Sequence, residues 1–166
     1  MGRYRSPASP KSPYITIHGF RRLEQEQTRL WLRRREVTKA LTAAAAEGDR
    51  SENAEYIYRK KELREIDNRI RYLQKRIPIL KVIGDMPGNK HQVFFAARVT
   101  LEDETEEEYC YRIVGPDELD CDKYNISMDS PLAKALMKRQ IGDTIEVETP
   151  RGRVNYHITG IEYLDD

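Results

Sequence analysis

The sequence predicts an α+β protein: an N-terminal antiparallel α-helical coiled-coil hairpin, then a small, mostly antiparallel sheet with one helix packed on it. Three observations carry this. Apolar residues recur at steps of three and four through the first half of the 166-residue chain, alternating β-rich runs replace them in the second, and the charge divides at the same place. Residues 1 to 81 hold 20 Lys and Arg against 10 Asp and Glu, whereas residues 82 to 166 hold 9 against 18. Halves of +10 and −9 therefore lie behind a net charge of +1. Such a split points to two modules with different partners, the basic one suited to a polyanion.

The helical half begins after a short tail. Residues 1 to 13, with Arg3, Arg5, Lys11 and Pro7, Pro10, Pro13, read as a disordered basic segment. From Phe20 the apolar series runs through Leu23, Gln27, Leu30, Arg34, Val37, Leu41 and Ala44, and a second runs Tyr56, Arg59, Leu63, Ile66, Ile70, Leu73, Ile77 and Leu80. Each is a heptad a/d seam on a helix about 40 Å long at 1.5 Å per residue. Between them, Glu47 to Asn53 is the run rich in turn and cap residues, so the helices fold back with their tip at 47 to 53. Pairing Phe20 with Leu80, Leu23 with Ile77, and so on inward to Ala44 with Tyr56 makes the residue numbers of every pair total 100, setting each a against a d. Arg34 and Arg59 enter this seam nearer the tip, either as snorkelling side chains with packed stems or because the distal half is shaped for a charged environment.

Residues 84 to 90 break the helical period and form a linker, leaving 14 to 83 as the hairpin and 91 to 166 as the second domain. Strands are expected at Val93 to Leu101, Tyr109 to Val114, Asp143 to Thr149 and Val154 to Tyr163, the last two joined by a Thr-Pro-Arg-Gly turn. The one helix has Ser130 to cap it and Pro131 at its first position, and is expected to run to Arg139 with Gly142 following.

The excluded classes are informative. With 39% hydrophobic residues and a mean hydropathy of −0.78, no apolar run approaches the ~20 residues of a spanning helix. Cys110 and Cys121 fit no metal-ligand spacing and read as reduced thiols of a cytoplasmic protein. The N-terminus fits the loose myristoylation pattern, but a basic tail is the better reading. His18, His91 and His157 are scattered without nucleophile partners, and no phosphate-binding glycine motif occurs. The acidic run Glu102 to Glu108 lacks calcium-loop spacing and reads as a solvated hairpin loop. Asp49 and Glu52, three apart at the start of the second helix, read first as a capping box. They are equally two carboxylates held at the end of a long rod.

The run Gly48-Asp49-Arg50-Ser51-Glu52-Asn53-Ala54-Glu55-Tyr56, with Lys60 to Asp67 after it, resembles the bacterial Gre transcript-cleavage factors, the B type in particular. Ile126 to Leu136, followed by Ile141-Gly142-Asp143, is similar to that family's C-terminal signature, and the resemblance covers about residues 14 to 164. It implies an FKBP-like C-terminal domain that docks beside the RNA polymerase secondary channel, through a surface placed near Asp129, Ser130 and Pro131. It implies a coiled coil reaching the polymerase active site, where hydrolysis of the backtracked nascent RNA runs by a two-metal route. Asp49 and Glu52 would help hold a shared Mg²⁺ and the attacking water, completing the polymerase's site rather than forming an enzyme. Arg50, Arg59, Lys60, Lys61, Arg64, Arg69 and Arg71 would face the extruded RNA 3' end. The protein would act as a monomer with no membrane partner. A secondary-channel regulator that inhibits without cleavage is the rival, disfavoured because both tip acids are present. A prolyl isomerase is disfavoured because no aromatic-lined pocket is evident.

Overall fold

The computed structural model describes residues 9–48, 53–84 and 87–164. It divides into two compact units, one of Phe20–Leu80 and the other of Lys81 onward together with the N-terminal residues through Gly19. The division thus falls beside the seam's two ends and not at 13/14 and 83/84. The reason is a pair of short strands, β1 (Tyr14–Thr16) and β2 (Lys81–Ile83), which hydrogen-bond in parallel. Residues 1 to 8 of the expected tail lie outside the described residues, and the remainder is not free of the fold: the Pro13 carbonyl accepts the Lys81 N–H at 2.7 Å.

The helical unit is built from α1 (Ile17–Ala46, 30 residues) and α2 (Ala54–Arg76, 23 residues). Leu23, Val37 and Ala44 on α1 and Ile66, Ile70 and Leu73 on α2 are buried, all of them seam positions of the heptad pattern. Val37, Ile66 and Ile70 form one cluster, with Leu30 and Leu63 packed against it. Two ion pairs between the helices check the register independently. Glu26 holds Arg69 through both carboxylate oxygens, at 2.6 and 2.9 Å, and Glu62 accepts from Arg33 Nε at 2.8 Å. Each of these four residues directly precedes an a position, Gln27, Arg34, Leu63 or Ile70, as antiparallel flanking pairs must. Helical geometry stops at Arg76, ahead of the expected end at Leu80, because Pro78 supplies no N–H and the chain tightens into a 3-10 turn over Ile77–Ile79.

The other unit is a five-stranded sheet in the order β5-β4-β3-β7-β6. Its strands are β3 (Arg98–Asp103), β4 (Glu108–Val114), β5 (Asn125–Ser127), β6 (Thr144–Thr149) and β7 (Gly152–Glu162). All pairings are antiparallel except β4 with β5. Val99, Leu101, Ile113, Ile145 and Ile158 bury one face, and Ala133 and Leu136 of α3 (Pro131–Leu136) close it. The first strand starts at Arg98 rather than Val93, since the chain turns between Phe94 and Ala97, where the Ala97 N–H bonds the Phe94 carbonyl and Ala96 takes a φ of 69° that a strand does not allow. Ser130 caps α3 by accepting the Ala133 N–H at 3.2 Å. The helix ends at Leu136, short of Arg139, and Lys138 takes a φ of 66° that helical backbone does not allow.

Candidate functional site

At the end of the hairpin, Asp49, Arg50, Ser51 and Glu52 lie outside the described residues, but both edges of the tip are defined. Gly48 has a φ of 151°, a conformation side chains resist. On the other edge Asn53 is the N-cap of α2: its Oδ1 accepts the Tyr56 N–H at 3.1 Å, while its Nδ2 donates to the Ala44 carbonyl at 2.8 Å and ties the two helices together. This corrects the capping-box expectation. The helix begins after Asn53, which holds the N-cap position that the capping box gave to Asp49.

The basic arm divides into two populations that sequence alone had merged. Arg59 is committed to Glu55 at 2.7 Å and Glu62 at 3.0 Å, and its guanidinium lies 5.4 Å from the Tyr58 ring centre. Arg69 is held by Glu26. Arg34 likewise leaves the seam to meet Asp67 at 2.7 Å, which is the snorkelling behaviour expected of it. Arg71 donates to Asn68 at 3.3 Å, and Lys60 sits 5.9 Å from the Tyr56 ring centre. Lys61 and Arg64 are exposed and make no hydrogen bond or ion pair among the described residues. The same is true of Arg35 and Lys39, one turn apart on α1, which the sequence reading passed over. The signal that could have found them is subtraction: charges at g and a positions face a partner across the seam, while those at b and f positions do not.

These pairings act on the carboxylates. Hydrogen bonding to Arg69 draws Glu26 below its ordinary range against the opposing effect of burial. For Glu62 desolvation pushes upward, and the bonds from Arg33 and Arg59 overcome it. The acidic run is equally engaged at its start. Asp103 Oδ1 accepts from the N–H and hydroxyl of Thr105 and from the Glu107 N–H, at 2.7 to 3.1 Å, and its carboxyl is lowered chiefly by Thr105. It is the acceptor of a tight hairpin turn, as a solvated β3–β4 loop requires.

The third region is the turn before α3. The Ser130 N–H bonds the Ser127 carbonyl at 2.9 Å, and the Asp129 N–H bonds Ser127 Oγ at 3.1 Å. Asp129, Ser130 and Pro131 are thereby presented on a hydrogen-bonded corner, with Pro131 exposed.

A helical hairpin carrying a basic arm and an acid-bearing tip, followed by a small sheet unit, is the build of a transcription elongation factor, and both halves match family models of that description. Residues 13–82 match "Transcription elongation factor, N-terminal" and residues 88–163 match "Transcription elongation factor, GreA/GreB, C-term". The chain belongs to the GreA/GreB family and within it is most like GreB. It is 52% identical to Transcription elongation factor GreB of Pseudomonas aeruginosa, covering 98% of each chain. It is 53% identical to that of Pasteurella multocida, covering 92% of this chain and 98% of the relative. Among solved structures it is similar to the GreA factor homolog Gfh1 of Thermus thermophilus, at 26% identity and a TM-score of 0.42, over 92% of this chain and 99% of that one. A transcription elongation factor works with RNA polymerase, so membership makes this chain a cofactor of that enzyme and not an enzyme itself. Among the described residues, no helix is long and apolar enough to cross a membrane.

Proposed function

We propose that the protein enters the secondary channel of RNA polymerase and stimulates the polymerase's own Mg²⁺-dependent cleavage of backtracked nascent RNA. The observation that carries this reading is the cap at Asn53. Two acids at a hairpin tip invite the explanation that one of them is the N-cap of the following helix, and Asn53 holds that position, so the acids at 49 and 52 call for another purpose. Carboxylate oxygens are the donors a hard cation prefers, and two are too few to fill its coordination shell alone, so the remainder must come from the polymerase. The shared Mg²⁺ would supply charge stabilisation for the phosphodiester in hydrolysis. Asp49 contributes charge and an oxygen ligand and Glu52 orients the water, both in the segment that joins α1, about 45 Å long at 1.5 Å per residue, to α2. Lys61 and Arg64, with Lys60, Arg35 and Lys39, meet the phosphates of the extruded 3' end, and Asp129, Ser130 and Pro131 form the docking corner.

The test is a stalled elongation complex carrying labelled RNA, given this protein with and without Mg²⁺. The expected result is release of 3' fragments and resumed extension of the 5' transcript. Binding with inhibition and no fragments would instead make it a channel-occupying regulator.

A further inference from the structure

The segment before β1 reaches across the sheet unit to the docking corner. Ser12 directs two donors at one carboxylate: its N–H reaches Asp129 Oδ2 at 2.9 Å, and its hydroxyl donates to Asp129 Oδ1. The donors are themselves held. Pro13 confines Ser12 to extended backbone, and the Pro13 carbonyl is bonded to Lys81 at the head of the β1–β2 pair. On the other side, the Asp129 backbone is fixed by the Ser127 hydroxyl and the Ser127–Ser130 turn. Both residues are half-buried.

We infer that Ser12 is a positioning residue for docking, orienting the Asp129 carboxylate toward the polymerase. A carboxylate has about four acceptor sites, and Ser12 uses one on each oxygen. The side chain is thereby locked in one rotamer while an acceptor site on each oxygen remains for a donor on the partner, so its ordering is complete before the proteins meet. Freezing one such side chain on association is worth about a two- to tenfold change in affinity. A strap covering Asp129 against its partner would behave in the opposite way, with removal of the hydroxyl tightening binding.

The inference rests on the docking reading of Asp129, and one set of variants separates the two. Binding of full-length protein to purified bacterial RNA polymerase is measured for the parent, Ser12→Ala, Ser12→Thr, Asp129→Asn and the double variant Ser12→Ala/Asp129→Asn, with melting temperature and cleavage at saturating factor alongside. Ser12→Ala keeps the backbone donor, so its fold is expected to stand. It should weaken binding about two- to tenfold with saturated cleavage unchanged, Ser12→Thr should restore it, and Ser12→Ala should add nothing to Asp129→Asn. Parental or tighter binding by Ser12→Ala while Asp129→Asn binds weakly overturns the positioning role and leaves the docking reading intact. So does an undiminished effect of Ser12→Ala in the Asp129→Asn background. Parental binding by Asp129→Asn removes the docking reading and this inference with it.

Discussion

Asn53 does two jobs that make the tip intelligible: it starts α2 and fastens that start to the Ala44 carbonyl. Its replacement by Ala should therefore lower stability by about 1 kcal/mol, the usual worth of an N-cap side chain, and a thermal melt would register it. Asp49→Asn should leave the melt unchanged and abolish transcript cleavage with polymerase binding retained, because a neutral amide is a poor ligand for a hard cation. Glu52→Gln is expected to follow it more mildly. Raised Mg²⁺ or added Mn²⁺ should recover part of the Asp49→Asn loss by mass action. Full cleavage by Asp49→Asn at limiting Mg²⁺ would remove the acids from the mechanism.

On the helices, charge is spent in two ways, and substitutions should sort accordingly. Replacing Lys60, Lys61 and Arg64 by Ala together should flatten the slope of log affinity for a backtracked complex against log salt by about 2, at roughly 0.7 per single-strand phosphate contact. Arg69→Ala should leave that slope alone and instead loosen the hairpin, since it abandons the half-buried Glu26. The same ion pair predicts an acid limit. Glu26 and Glu62 titrate lower in the fold than their ordinary value of 4.5, so their contribution is full above that value and is lost as pH falls through the folded value. Thermal melts followed by the helical signal should show a drop in the parent below about pH 4.5, and a smaller one in Arg69→Ala.

For the molecule as a whole, the N-terminal segment belongs to the sheet unit, and a buried acid is the joint. Glu118 is 3% exposed and accepts from the Thr16 N–H at 3.1 Å, the Gly115 N–H at 2.8 Å and the Thr16 hydroxyl. Thr16 Oγ1 in turn accepts the Gly19 N–H at 3.0 Å in the first turn of α1. A Cβ at Gly19 would stand 2.1 Å from Glu118 Oε1, and one at Gly115 2.1 Å from the Tyr14 carbonyl oxygen, so only glycine fits either place. Residues 91 to 166 alone, which on charge and linker position would be the natural docking fragment, keep the Gly115 donor but lack both donors of Thr16. The fragment should be less stable than the sheet unit of the intact chain, with faster amide exchange around Gly115. Thr16→Val in the full protein should cost about 1–3 kcal/mol by leaving part of a buried carboxylate unsatisfied.

What could be read directly from the residues was local or periodic. The heptads set the hairpin and its register because each seam position recurs within one or two turns, and Ser130-Pro131 announced α3 because a cap acts on the residues next to it. The nature of the tip came from its residues in order, by resemblance. What could not be read was the set of contacts between distant residues. β1, β2 and β5 have three residues each, too few for an alternating pattern. Glu118 looks like one more loop acid until Thr16, 102 positions away, closes over it, and Ser12 meets Asp129 across 117. The division of the arm into paired and available cations has the same origin. Composition shows how many charges there are, but a side chain's partner depends on which surfaces packing brings face to face.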